Sequence, residues 1–227
     1  MQRYNSFAMI HKALRTLLYD VALTLQQTYF ADDSEAEIAL EKIETALYVF
    51  EQHAHHEDNH ILPAIELHEP QLVADFENQH VADIALGSRL KTLLNMFRYA
   101  VAKEDQIYCG SAISKAFVEF MVFNLEHMAE EELYINQALW KHYTDEQLII
   151  LHQKLSAGIP PAEKALTAKW MMRGVNNVEA VSWLKGIKQA APAVVFEAMI
   201  NITETELPEQ RRDDVLNAVL ESEMSTL

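Results

Sequence analysis

HAHHEDNHILP, running from His53 to Pro63, places four histidines within eight residues and interleaves them with Glu57 and Asp58. His53 and Glu57 stand four apart, and the same interval separates His127 from Glu131 in LEHMAEEELYI. On an α-helix, residues at that interval share a face one turn apart. Each pair can therefore aim an imidazole and a carboxylate inward from one helix. His11 in IHKALR and His80 in ENQHVADIAL each add an imidazole from another amphipathic stretch. Four helices then offer donors to one interior, which is how helical bundles build metal sites from facing side chains.

The apolar periodicity supports those helices. Phe7, Ile10, Leu14, Leu17, Leu18, Val21 and Leu25 recur at three-to-four spacing and predict helix 1 over residues 4–30. Asp33 or Ser34 is the expected cap of a second helix carrying Ile38, Ile43, Leu47 and Phe50 into the histidine run. Pro63 and Pro70 punctuate its end. Helix 3 starts near residue 70 and takes Leu72, Phe76, His80, Ile84, Leu90, Leu94 and Phe97 toward residue 100. A loop containing Lys103, Glu104, Asp105 and Gly110 is expected next. Helix 4 then aligns Ile113, Phe117, Phe120, Met121, Asn124, His127, Glu131 and Ile135 up to residue 142. The predicted fold is all-α, an up-down-up-down four-helix bundle over residues 1–142. Alternating helix directions bring all six donors toward one end of it.

Composition excludes other classes. The chain has 227 residues, half of them hydrophobic, with 5 Gly and 6 Pro, which suits long helices around a sizeable core. Lys and Arg total 18 against 34 Asp and Glu, a net charge of −16. That balance opposes nucleic-acid binding, which needs a basic footprint, and leaves no polybasic anchor for an anionic membrane. Cys109 is the single cysteine, so an intrachain disulfide, a thiolate zinc site and an iron–sulfur cluster are all excluded. MQRYNSFAMIHKALR lacks the apolar core of a secretory signal, and no apolar run reaches the roughly 18 residues that a membrane span needs. A cytoplasmic protein is expected.

Residues 1–142 resemble the hemerythrin-like family, the HHE cation-binding domain, through the helix-1 histidine, HxxxE with a following Ile-Leu-Pro, the helix-3 histidine and the second HxxxE. The resemblance implies a non-haem di-iron centre, two irons bridged by two carboxylates and an oxygen species and otherwise held by imidazoles. It assigns His11, His53, Glu57, His80, His127 and Glu131 as metal ligands, with Glu57 and Glu131 as the bridges. The oxygen-carrying members have HxxxH on helix 3, whereas here Ile84 lies four residues after His80 and Phe76 four before. They also end helix 4 with HxxxxD, a spacing at which this chain has Glu132. One imidazole fewer leaves an iron more open or calls in a substitute. His60, seven after His53 and three after Glu57, is the first candidate on that stripe, and His56 is the second.

Function follows from the resemblance as binding or sensing of O2, NO or iron. A di-iron oxidase or peroxidase, and a helical interaction module with incidental metal binding, are the alternatives. No dedicated base, nucleophile or organic-cofactor motif argues for an enzyme. Spacing by itself does not choose iron, since imidazole and carboxylate also suit manganese and zinc. Asp83, Asn124, Glu130 and Tyr134 are the expected acceptors behind the imidazoles, while His55, Asp58, His68, His142 and His152 are assigned to solvent. Over residues 143–227 the pattern predicts short helices of unknown role. Gly158 closes one, Pro160–Pro161 opens another that ends at Gly174, Asn176 or Asn177 caps the next, and Pro192 and Pro208 precede two more, the last running to residue 223. Trp170, Trp183 and Phe196 supply apolar faces that cap the bundle or join two chains as a homodimer.

Overall fold

The computed structural model describes residues 3–220, so positions 221–223 of the last predicted helix lie outside the described residues. Every regular element among the described residues is helical. The fold is an all-α helical bundle with additional C-terminal helices. Asn5 Oδ1 accepts the N–H groups of Phe7 and Ala8 at the start of α1 (Ala8–Gln27). Asp32, rather than Asp33 or Ser34, caps α2 (Asp33–His56), because its carboxylate reaches the N–H groups of Ser34 and Glu35.

α2 does not end at His56. It passes through a π-helical turn, Glu57–Ile61, into α3 (Leu62–Ile65). Pro63 supplies the reason, since it has no N–H for the carbonyl four residues back and its ring crowds that carbonyl. Widening the turn relieves the conflict, and the Leu62 N–H reaches Glu57 O. α4 (Pro70–Tyr99) follows, with proline in its first turn, where a missing N–H costs nothing.

α5 (Lys103–Glu130) begins ten residues before Ile113, and no loop spans Lys103 to Gly110. The break is confined to Ala100–Ala102. Gly110, taken from sequence as a loop residue, lies inside the helix because the Phe30 ring packs where its Cβ would stand. α5 then enters a second π-helical turn, Glu131–Ile135, and α6 (Asn136–His142). Asn136 closes this turn. Its side-chain Nδ2 donates to Glu132 O at 3.1 Å while its backbone N–H reaches Glu131 O.

Cross-helix pairs trace the antiparallel order. Lys42 meets Asp20 and Thr24 between α1 and α2. Glu44–Arg98 and Glu51–Lys91 join α2 to α4, and Arg89–Glu119 and Gln79–Glu130 join α4 to α5. Leu17, Leu18 and Val21 of α1 are buried in the bundle, as are Leu40, Ile43 and Phe50 of α2, Leu90 and Leu94 of α4, and Ile113, Phe117 and Phe120 of α5. A second apolar cluster contains Phe7, Ile61, Leu62, Ile65, Val73, Phe76, Ile135 and Leu139, together with Leu148 of α7 (Asp145–Gly158).

The chain divides into two compact units, one of residues up to Ala8 with Leu17–Gly158, the other of Met9–Thr16 with Ile159 onward. α1 is continuous through both. The second unit holds α8 (Pro161–Gly174), α9 (Asn177–Ala190), α10 (Ala193–Glu206) and α11 (Glu209–Leu220). Asn176 and Glu179 form a reciprocal capping box at the start of α9. Met172, Val175, Ala180, Leu184, Val215 and Val219 make this unit's core, and no helix among the described residues is long and apolar enough to cross a membrane.

Candidate metal centre

His53 and His127 occupy the last turns of α2 and α5, and Glu57 and Glu131 are the first residues of the two π-helical turns. Each His/Glu pair closes on itself as the spacing requires. His53 Nε2 lies 3.1 Å from Glu57 Oε1, and His127 Nε2 lies 3.2 Å from Glu131 Oε1. From α4, His80 Nε2 points between them, 3.5 Å from Glu57 Oε2 and 3.8 Å from Glu131 Oε1. His11 is buried on α1.

Six of the seven residues assigned from sequence converge. Donor atoms of His11, His53, Glu57 and Glu131 all lie within 4.8 Å of one another, as do those of Glu57, His80, His127 and Glu131. Donors bound to one ion at about 2.0–2.2 Å stand about 3–4 Å apart, so either set is of the size that closes around a cation. Glu57 and Glu131 belong to both sets. With imidazole nitrogen and carboxylate oxygen and no sulfur, the donors suit iron, manganese or zinc. His60 is half-buried on its π-helical turn and belongs to neither set, and His56 likewise stays outside. The widened turn breaks the regular spacing on which the stripe through His53, Glu57 and His60 depends, and Ile61 takes the buried position.

The buried carboxylates set the charge of the imidazole between them. Burial by itself lowers the basicity of His80, but the Glu131, Glu57 and Asp58 carboxylates outweigh it, and the pKa is pushed up to about 11. The imidazolium then stands in for the positive charge that two buried carboxylates demand.

Residues that sequence reasoning placed in solvent, or passed over, hold the imidazoles from behind. Asp58 Oδ1 lies 2.6 Å from His80 Nδ1, and Gln79 Oε1 lies 2.6 Å from His127 Nδ1. Asp58 is not a purely solvated residue, because the π-helical turn swings it across to α4. No helical periodicity could have revealed it, although its position directly after a ligand-type glutamate was a hint. Asp83 and Asn124, expected behind the imidazoles, instead bind each other, with Asn124 Nδ2 donating to Asp83 Oδ1 at 2.6 Å. Burial raises the Asp83 pKa, against the opposing hydrogen bond from Asn124. Glu130 acts through Gln79, and Tyr134 is exposed. His152, also assigned to solvent, is half-buried on α7 with the Tyr4 ring edge-on at 5.5 Å.

Ile84 is 59% exposed, so it does not face the centre, whereas Phe76 is 2% exposed and its ring lies 5.7 Å from that of His127. The buried face of α4 runs through Val73, Phe76, His80, Asp83 and Gly87.

Residues 3–150 match the hemerythrin HHE cation-binding domain. The chain belongs to the hemerythrin HHE cation-binding family. No curated protein and no solved structure matches it. Within this hemerythrin-like chain, the two His/Glu sets are groups that could hold the cation for which the domain is described.

Proposed function

We propose that this protein is a non-haem di-iron protein that binds or senses O2, NO or iron, with His11, His53, Glu57, His80, His127 and Glu131 as ligands. The observation that carries this reading is the sharing of Glu57 and Glu131 between two donor sets, each completed by two imidazoles. Two cations at the roughly 3.5–4 Å separation of paired sites need anions between them, and two buried glutamates common to both sets suit that demand. A pair of irons so held would supply reversible binding of O2 or NO. The protein's own residues neutralise and position the ions and surround them with apolar side chains such as Phe76 and Ile135. Metal binding falls to the bundle, residues 1–142. The extension over 143–227 stabilises it or joins two chains, and Val194 and Val195 are exposed on α10 for such a contact. A free cysteine, Cys109, accords with a reducing cytoplasm.

Anaerobic loading with ferrous iron followed by elemental analysis tests the reading. Two irons per chain are expected, falling to one or none in Glu57→Ala and Glu131→Ala, with an optical change when O2 or NO is admitted. Chelation should lower the melting temperature of the bundle, since a ligand that binds only the folded state stabilises it. Wild-type occupancy in both variants would remove these glutamates from the ligand set. Repeated turnover of O2 or peroxide above about 1 s⁻¹ would favour an oxidase or peroxidase instead.

A further inference from the structure

His80 and His127 are each gripped from a neighbouring helix. Asp58, on the π-helical turn after α2, reaches His80 on α4, and Gln79 on α4 reaches His127 on α5. The second grip has a fixed polarity. Gln79 Nε2 donates to Glu130 Oε2 at 2.8 Å, so its Oε1 is the atom left to accept, and His127 must carry its proton on Nδ1. When His80 is neutral, as a metal ligand must be, Asp58 imposes the same tautomer on it, because a carboxylate accepts only. In both rings Nε2 is thereby turned to the shared glutamates.

The grips differ in charge and exposure. The Asp58 side chain is 43% exposed although the His80 side chain it holds is 3% exposed. A carboxylate hydrogen-bonded behind a ligating imidazole strengthens it as a donor more than a neutral carboxamide does, and fixes its orientation.

We propose that Asp58 and Gln79 are positioning residues of the centre, and that anionic Asp58 makes His80 the stronger of the two donors while linking it to solvent. This rests on reading Glu57, His80, His127 and Glu131 as a metal position. The two π-helical turns gain a purpose from it. Each begins at a shared glutamate, and the first also presents the residue that orients an imidazole on the next helix.

Divalent cobalt, whose visible bands report coordination geometry, is the probe for the full chain. Outer partners of this kind are worth about 10–100-fold in metal affinity, so Asp58→Ala should weaken binding at one cobalt position by about that factor and change its bands. Asp58→Asn keeps an acceptor at Nδ1 without the charge. It should restore the wild-type band shape while leaving affinity short of wild type, and Gln79→Ala, which removes the acceptor behind His127, should weaken binding at the same position. Circular dichroism of the metal-free variants should match wild type, which separates positioning from folding. Unchanged affinity and spectrum in Asp58→Ala, or full recovery of affinity in Asp58→Asn, would overturn the proposal for Asp58. Failure of the wild-type chain to take up cobalt would overturn the metal reading beneath it.

Discussion

Placing a second imidazole on α4 tests the geometry of the centre, because two positions one turn from His80 are open to it and the structure separates them. Phe76 is buried beside His127, and Ile84 looks outward. In metal-free protein, Phe76→His gives up the burial of a phenyl ring, about 1.5–3 kcal/mol. It also leaves a ring nitrogen in an apolar cluster, a further cost of about 1–3 kcal/mol unless a partner is found. At about 2–4 °C per kcal/mol for a domain of this size, a combined loss of about 2.5–6 kcal/mol lowers the melting temperature by roughly 5–24 °C. Metal should return part of that loss if the new nitrogen joins the donor set, because binding to the folded state alone stabilises it. Ile84→His should fall within about 0.5 kcal/mol of wild type, as exposed substitutions do. Calorimetry with chelator and with ferrous iron gives the two stabilities, and X-ray absorption gives the nitrogen count per metal. A nitrogen gained in Ile84→His, or an unaltered melting temperature in chelated Phe76→His, would refute the assignment of faces on α4.

Three further outcomes check individual helices. Burial lowers the pKa of His152, so the fold prefers its neutral form. Above the unfolded value of 6.5 this has no cost. Below it the unfolded chain takes up a proton that the fold resists, so stability falls as pH drops. In chelated protein the raised His80 pKa works in the opposite direction over the same range, so the comparison is between chains: His152→Leu should gain stability relative to wild type as pH falls from 7.5 to 5, and an identical slope would place the titration elsewhere. Gly110→Ala should cost about 1–3 kcal/mol through overpacking against Phe30. Gly186→Ala, with open space at its Cβ, should instead gain about 0.5–1 kcal/mol, and denaturant titration reads both.

What could be read from the chain divides along the regularity of its helices. Where 3.6-residue periodicity holds, most side chains fell where expected, although Ile38 of α2 is exposed. Leu17, Leu18, Val21, Leu90, Leu94 and Phe117 are all in the core, and the C-terminal helices begin and end at the predicted Gly, Pro and Asn positions. Inside α4 the period alone could not choose between the i+3 and i+4 neighbours of His80. Asp83 turned inward and Ile84 outward, which changes what the missing imidazole means. At the site itself the period fails. Pro63 removes one backbone hydrogen bond after the first of two π-helical turns, which begin at Glu57 and Glu131. A reading by regular spacing could place those glutamates, because they precede the widened turns. It could not place His60 or Asp58, which lie within one. The same disturbance that hid Asp58 from the sequence is what lets it reach His80, so the irregular backbone is part of how the centre is built.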